Sequence, residues 1–91
     1  MEKLNGQQIE KHLNELDGWS YDGSSIHKTF TFKDFKAAFA FMARVAFEAE
    51  AHGHHPNWEN VYNRVVIHLN THDVGGITRK DFELAKAISE L

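Results

Sequence analysis

The sequence of 91 residues contains no cysteine and a single proline. The absence of cysteine excludes disulfide bonds, thiolate nucleophiles, and zinc or iron–sulfur sites with cysteine ligands. No stretch approaches the about 18 apolar residues of a membrane-spanning helix, and residues 1–8 lack the apolar run of a signal peptide. We therefore expect a cytoplasmic protein that makes no contact with membranes.

Basic residues are also few, because Lys and Arg total 10 against 13 for Asp and Glu, which gives a formal net charge of −3. A protein that binds DNA or RNA through the phosphates needs a basic face, so we expect no direct nucleic-acid partner. The length and the apolar fraction of 42% fit one small globular domain over residues 1–91. A domain of this size has a modest core, which favours a homodimer or a homotetramer.

Apolar periodicity and turn signals predict seven elements. Tyr62 and Asn63 are interpreted as a turn between two strands, with one continuous strand as the alternative. Thr78 and Asp81 form a capping-box pattern before the last helix, so capping explains Asp81. The predicted order is a helix over 6–16, strands over 19–21 and 26–32, a helix over 34–52, strands over 57–61 and 64–70, and a helix after residue 78. This order predicts an α+β fold, a two-layer sandwich in which helices cover one face of an antiparallel sheet.

The helix over 34–52 has the strongest amphipathic pattern, and Gly53 is predicted to end it. Phe41 and Phe47 are expected to point away from its buried stripe, where they could contact another subunit or a neighbouring element. The predicted buried stripe consists of Phe35, Phe39, Met42, Ala46 and Ala49, widened by Ala38 and Val45. In the last helix, the predicted buried stripe is Phe82, Ala85 and Ile88.

Seven histidines are present, and five of them lie between His52 and His72. One cluster, at positions 52, 54 and 55, surrounds the predicted end of the long helix, and His72 with Asp73 follows a predicted strand. Loops at the ends of helices and strands carry function more often than their centres do. His12 and His27 are expected at the surface, and His68 is expected to face either solvent or a pocket.

Three interpretations of this cluster remain open. The histidines could be solvated loop residues or helix caps, or His54, His55 and His72 could ligate zinc in an open three-histidine site. Adjacent histidines in extended chain point apart, and no spacing matches a helical or zinc-finger pattern, which argues against metal. Imidazole has a pKa of about 6.5, so histidines around one pocket could instead give and take protons without a cofactor.

Two motifs closely resemble the pterin-4a-carbinolamine dehydratase family, and the resemblance extends from about Gly18 to the C-terminus. The first motif is Glu50-x-x-x-His54-His55-Pro56-x-Trp58-x-x-x-Tyr62-x-x-Val65. The second is Leu69-x-Thr71-His72-Asp73-x-x-Gly76-Ile77-Thr78-x-x-Asp81. The stretch Phe32-Lys33-Asp34-Phe35 and the residues Ala38, Phe39, Phe41, Met42, Arg44, Val45 and Ala46 also match the family.

The resemblance implies a four-stranded antiparallel sheet and the dehydration of 4a-hydroxytetrahydropterin to quinonoid dihydropterin. The partner would be a pterin substrate, recycled for aromatic amino acid hydroxylases, with no metal and no organic cofactor. In the implied catalytic set, His54 and His72 are the acid–base residues and His55 binds and orients the pterin. The implied substrate-binding residues are Glu50, Gly53, His54, His55, Pro56, Trp58, Asn70, Thr71, His72 and Asp73.

Two positions depart from the family pattern, because several members carry an acidic residue in place of Gly53 and some have Glu in place of Asp73. An alternative function is a non-catalytic protein-binding or dimerisation module on the same fold. Some animal members of the family stabilise dimers of a homeodomain transcription factor. The presence of His54, His55 and His72 favours the enzyme.

Overall fold

The computed structural model describes residues 2–91, so Met1 of the predicted domain 1–91 lies outside the described residues. The elements are α1 (Gly6–Leu13), β1 (Ser20–Tyr21), β2 (Ile26–Thr31), α2 (Phe35–His52), β3 (Asn57–Val61), β4 (Arg64–Leu69), a short 3-10 helix (His72–Val74) and α3 (Arg79–Ser89). This order confirms the predicted sequence of helices and strands. Among residues 2–91, no helix is long and apolar enough to cross a membrane.

The four strands form one antiparallel sheet in the order β1-β2-β4-β3. Strand β4 pairs with β2 on one side, from Ile26 opposite Leu69 to Thr31 opposite Arg64, and with β3 on the other. Tyr62 has a φ of 51° between β3 and β4, in the left-handed conformation that tight turns use. The predicted turn is therefore confirmed, and the alternative of one continuous strand is wrong.

The core lies between the sheet and the helices. On β4, Val65, Ile67 and Leu69 are fully buried, as the alternation of the strand predicts. These residues belong to one cluster with buried residues from all three helices, which confirms the α+β class with the helices on one face of the sheet. The helical members of this cluster are Ile9, Ala38, Phe41, Val45, Ala49, Phe82, Leu84, Ala85 and Ile88.

The predicted buried stripe of α2 is confirmed for Ala38, Val45 and Ala49, which are buried, and is wrong for Phe35, Phe39 and Ala46, which are exposed. Phe41 is 5% exposed and packs on the rings of Phe30 and Phe32, at centroid distances of 4.7 and 4.9 Å. Phe35 and Phe39 are instead 49% and 60% exposed. The helix is apolar on most of its circumference, so its periodicity fits two stripes equally well. Phe30 in β2 and Phe32 just after it decide between the two stripes, because both rings pack against Phe41. Phe47 points to solvent, as predicted.

Helix α1 is shorter than predicted, because it ends at Leu13 rather than at Leu16. The next backbone N–H groups, of Glu15 and Leu16, donate to carbonyls three residues earlier, which is turn geometry rather than α-helix. Leu13 and Leu16 still pack against the core as partly buried residues. The capping box of α3 is present as predicted, with Thr78 as the N-cap and Asp81 as its partner.

Candidate functional site

The C-terminal ends of α2 and β4 meet at a pocket of about 430 Å³. The pocket is a plausible size for a small organic molecule, because ligand sites in proteins commonly have volumes of a few hundred Å³. Both histidine motifs contribute to it. The lining residues are Gly53, His54, His55, Asn70, Thr71, His72, Asp73, Val74 and Lys80.

His54 is placed by the way that α2 ends. Gly53 adopts the left-handed conformation with a φ of 60°, which glycine reaches without the steric cost of a Cβ. Its N–H donates to the carbonyl of Glu50, and the N–H of His54 donates to that of Ala49. These two bonds form a Schellman motif, which satisfies the last carbonyls of the helix. The chain therefore turns sharply at the helix end and delivers His54 and His55 to the pocket.

His72 is placed by a small closed loop after β4. Thr71 and Gly76 exchange backbone hydrogen bonds of 2.7 and 3.4 Å, so the chain enters and leaves the loop side by side. Between them runs the 3-10 turn, which ends at Gly75 with a φ of 64°. This closure holds His72 at the pocket opposite the end of α2.

A buried carboxylate lies behind His54. Nε2 of His54 is 2.6 Å from Oδ1 of Asp81, and Asp81 is fully buried while the side chain of His54 is 11% exposed. The second carboxylate oxygen accepts hydrogen bonds from Thr71 Oγ1 at 2.8 Å and from the N–H of Thr78 at 2.9 Å. One side chain thus contacts both loops of the pocket and the start of α3.

His55 has a carboxylate partner of a different kind. Its Nε2 is 2.7 Å from Oε1 of Glu50, and the two side chains are 64% and 78% exposed. An exposed pair of this kind adds little to stability, because water screens it. Its effect is geometric, since Glu50 holds the ring of His55 at the mouth of the pocket.

The other four histidines lie outside the pocket lining. His52 Nδ1 is 2.9 Å from the carbonyl oxygen of Glu48 at the end of α2. His12 was expected at the surface, yet it is half-buried and stacks on Phe82 at 4.9 Å between ring centroids. His27 was also expected at the surface, and it is half-buried. It packs beside His68 across β2 and β4 at 5.3 Å, so neither ring reaches the pocket.

Ser25, His68 and Asp22 lie together, but not in the arrangement of a serine nucleophile. Ser25 Oγ is 3.2 Å from His68 Nδ1 and 3.2 Å from an oxygen of Asp22. In a nucleophilic triad the carboxylate orients the histidine, whereas Asp22 here contacts the serine. The backbone N–H groups of Ser25 and Ser24 donate to Asp22 and hold the pKa of this carboxyl well below its usual range. These contacts close the turn between β1 and β2.

The structure brings most of the sequence-predicted site residues together. Glu50 reaches the pocket through His55, while Pro56 and Trp58 do not line it. Trp58 is partly buried and packs against the core. The predicted residues that do line the pocket are Gly53, His54, His55, Asn70, Thr71, His72 and Asp73.

Sequence reasoning missed three residues of this region, Val74, Lys80 and Asp81. Val74 and Lys80 line the pocket, and Asp81 contacts His54 from behind. The capping box was the available signal for the last two, because it places the first turn of α3 beside the loop that precedes it.

Within residues 2–91, no group of three or more His, Cys, Asp or Glu side chains could hold a metal ion. The nitrogen Nε2 of His54 and that of His55 each face a carboxylate within hydrogen-bond distance. The arrangement is suited to moving protons at the remaining ring nitrogens.

The chain is similar to known proteins over nearly its whole length. The family described as pterin 4 alpha carbinolamine dehydratase matches residues 2–91. A relative from Christiangramia forsetii, provisionally named a pterin-4-alpha-carbinolamine dehydratase, is 53% identical over 100% of this chain and 94% of its own length. One from Rhizobium johnstonii with the same provisional name is 52% identical, over 99% of this chain and 91% of its own. A crystal structure from Brucella melitensis, described as a transcriptional coactivator/pterin dehydratase, superposes with a TM-score of 0.93 at 42% identity, covering 98% of this chain and 97% of that one.

Proposed function

The chain belongs to the pterin 4 alpha carbinolamine dehydratase family, and from this membership and the pocket geometry we propose that it converts 4a-hydroxytetrahydropterin to quinonoid dihydropterin and water. The observation that carries the proposal is the convergence of three histidines from two separate loops on one pocket. The pocket supplies acid–base groups, and its volume of about 430 Å³ lies in the range of binding sites for small organic molecules.

The reaction needs little more than proton transfer. A proton is added to the hydroxyl on C4a, the C4a–O bond breaks, and water leaves. The proton on the neighbouring ring nitrogen is removed, and its electron pair completes the new double bond between that nitrogen and C4a. Because the nitrogen lone pair assists departure of water, acid–base catalysis by imidazole is sufficient.

We assign both proton transfers for a given epimer to the histidine on the side of its hydroxyl, which is His54 for one epimer and His72 for the other. The two histidines come from different loops around the same pocket, so one ring can lie between them and each can serve a hydroxyl on its own side. His55 would bind and orient the pterin, because its ring is already held by Glu50 at the mouth of the pocket.

The polar edge of a pterin, with its amide and amino groups, needs hydrogen-bond acceptors and donors around it. Asn70, Thr71 and Asp73 lie on the lining and carry both kinds of group on their side chains or backbone. We propose that this loop forms hydrogen bonds with the polar edge of the substrate.

The direct test is to follow dehydration of synthetic 4a-hydroxytetrahydropterin by absorbance, with and without exhaustive chelation of the protein. We expect a rate that rises in proportion to protein concentration and that chelation leaves unchanged, because the two transfers use only side chains. Loss of the rate on chelation, followed by recovery on adding zinc, would establish the metal interpretation instead. A rate equal to the uncatalysed one at every protein concentration would reject the enzyme.

We also propose that the protein is a homodimer or a homotetramer built from dimers. The contact would form through the face of α2 that carries Phe39 and Phe47, which are 60% and 77% exposed. Phe41 does not contribute to it, because Phe41 belongs to the core. A single exposed apolar residue is ordinary, but a row of them along one helix marks an interaction surface. The exposed face consists of Lys36, Phe39, Ala40, Ala43, Ala46, Phe47 and Glu50.

This face is complementary to itself. Phe39 and Phe47 are placed symmetrically about Ala43 in the sequence, and so are Lys36 and Glu50. Two copies of α2 packed antiparallel around a two-fold axis at Ala43 would set Phe39 of one copy against Phe47 of the other and Lys36 against Glu50. The small side chain at the axis lets the helices approach, and a two-fold contact uses the same patch on both copies. A second copy of the chain is therefore the occupant that we propose.

Light scattering at micromolar concentration tests this contact. The wild type should have a mass of two or four times 10.5 kDa. Phe47→Glu should reduce that mass, because it places a charged carboxylate against the apolar ring of Phe39 of the other copy. Leu91→Glu adds the same charge to an exposed apolar residue outside α2, and it should leave the mass unchanged. A wild type that is monomeric, or a mass that Phe47→Glu does not alter, would contradict the contact.

A second candidate is a protein-binding module, which is favoured by the words transcriptional coactivator in the description of the Brucella melitensis structure. The same exposed face of α2 would then receive a different protein. The dehydration assay separates the two functions, since a module without catalysis would leave the substrate at its uncatalysed rate.

A further inference from the structure

Asp81 makes more contacts than a helix cap requires. It is fully buried, and a buried carboxylate is costly unless its oxygens accept hydrogen bonds. Capping of α3 uses only one oxygen, which accepts from the backbone N–H of Thr78. Within residues 2–91, His54 is the one side chain able to carry positive charge within 4 Å of Asp81. The other oxygen, Oδ1, therefore faces His54 alone.

The protons around Oδ2 of Asp81 can be assigned one by one. The N–H of Thr78 and the hydroxyl of Thr71 both donate to it, at 2.9 and 2.8 Å. Thr71 has a single hydroxyl proton, so in its 2.7 Å contact with the hydroxyl of Thr78 it accepts and Thr78 donates. With Oδ2 saturated in this way, Oδ1 remains free to accept from Nε2 of His54 at 2.6 Å.

The other ring nitrogen of His54 faces the pocket. Among the described residues, Nδ1 makes no hydrogen bond, and no buried side-chain nitrogen or oxygen lacks a partner. Nδ1 is therefore accessible rather than buried, and His54 lines the pocket.

From these contacts we infer that Asp81 is a positioning residue for the reaction. It holds the hydrogen on Nε2 of His54 in both charge states of the ring, so that Nδ1 is the atom that gives and takes the proton in the pocket. The same carboxylate accepts from Thr71, the neighbour of His72, and so couples the two histidine loops. The inference rests on the proposed function for its catalytic part only, since the position of the hydrogen is a property of the substrate-free protein.

The test is a long-range ¹H–¹⁵N spectrum of the histidine rings, recorded without substrate at a pH where His54 is neutral. In the wild type we expect the hydrogen on Nε2 and a lone pair on Nδ1. In Asp81→Asn, the amide oxygen must take the place of Oδ2, because Thr71 and Thr78 still donate there. The amide NH₂ then faces Nε2 and donates to it, which moves the ring hydrogen to Nδ1. We expect kcat to fall by roughly 10²-fold or more for the epimer that His54 serves, with KM nearly unchanged.

Thr78→Ala is the matched control. It removes a hydroxyl from the same hydrogen-bonded group and weakens the cap of α3, but it leaves Asp81 and His54 in contact. It should keep the hydrogen on Nε2 of His54 and retain kcat. If the role of Asp81 were merely structural, Thr78→Ala and Asp81→Asn would give the same result.

A wild-type spectrum with the hydrogen on Nδ1 would overturn the inference, and it can be read even if Asp81→Asn does not fold. An unchanged tautomer together with an unchanged kcat in Asp81→Asn would also overturn it. A wild type with the hydrogen on Nε2 but without dehydratase turnover would reject the proposed function and support the assignment of the tautomer.

Discussion

Replacing His54 and His72 together by alanine should abolish nearly all of the enzymatic dehydration, while either replacement alone should leave part of it. Each single variant should lower kcat by roughly 10²-fold or more for the one epimer that the missing histidine serves, since proton transfer is lost there. The losses are partial because each histidine can serve one epimer of the C4a hydroxyl. The double variant removes both acid–base imidazoles and leaves only His55, which is assigned to binding, so the rate should fall close to that of the uncatalysed reaction. Steady-state kinetics on the mixed epimers gives this comparison.

Two further histidine variants serve as controls for that comparison. His55→Ala should mainly raise KM, which is the sign of lost binding rather than lost chemistry. His52→Ala removes an imidazole whose Nδ1 lies against the Glu48 carbonyl and which does not line the pocket, so it should leave both constants unchanged. A double variant of His54 and His72 that is nearly as fast as the wild type would show that neither residue carries the acid–base step.

Replacing Phe41 by alanine should destabilise the protein by about 3–5 kcal/mol, because it removes a buried ring from the contact between α2 and the sheet. Phe35→Ala changes the same residue type on the same helix, but its side chain is half exposed. It should cost about 1 kcal/mol or less. For a domain of this size, a loss of 1 kcal/mol lowers the melting temperature by about 4–8 °C, so calorimetry separates the two variants clearly.

Phe41→Leu keeps most of the buried volume, and its stability should lie between that of the wild type and that of Phe41→Ala. Equal losses for Phe35→Ala and Phe41→Ala would contradict the assignment of the buried face. A larger loss for Phe35→Ala would restore the stripe that the periodicity of the sequence predicts.

The order of helices and strands follows from local signals in the sequence. Asn5, Asp34 and Thr78 cap the starts of the three helices as their residue types predict, and Gly53 ends α2. The alternation on β4 identifies its buried face because polar residues interrupt it. These elements are predictable because each depends on residues that are close together in the chain.

The buried face of α2 depends instead on distant residues. Phe35, Phe39, Phe41 and Phe47 are all apolar, and the helix alone contains nothing that ranks them. Phe41 is buried because Phe30 in β2 and Phe32 just after β2 lie opposite it. A contact of this kind becomes visible only when the sheet and the helix are placed together.

The two loops of the candidate site were predictable because their signals, like those of the helices and strands, lie in neighbouring residues. The contacts between the loops depend on residues that are distant in the chain. His54 directly follows Gly53, and His72 begins the short turn that ends at Gly75, so these glycines mark the loops that hold the two histidines. The contact between Asp81 and His54 was not predictable in this way. Its capping position accounts for one oxygen, and only the fold shows that the other oxygen meets His54.

The most direct test of the account is the rate of dehydration of the two separated C4a epimers by the wild type, by His54→Ala and by His72→Ala. Stopped-flow absorbance measures each rate above the uncatalysed background. We predict that the wild type accelerates both epimers, and that each variant retains acceleration of one epimer and loses that of the other, with opposite preferences. A wild type that accelerates neither epimer would contradict the proposed activity, and variants that lose both epimers equally would contradict the placement of the pterin between the two histidines.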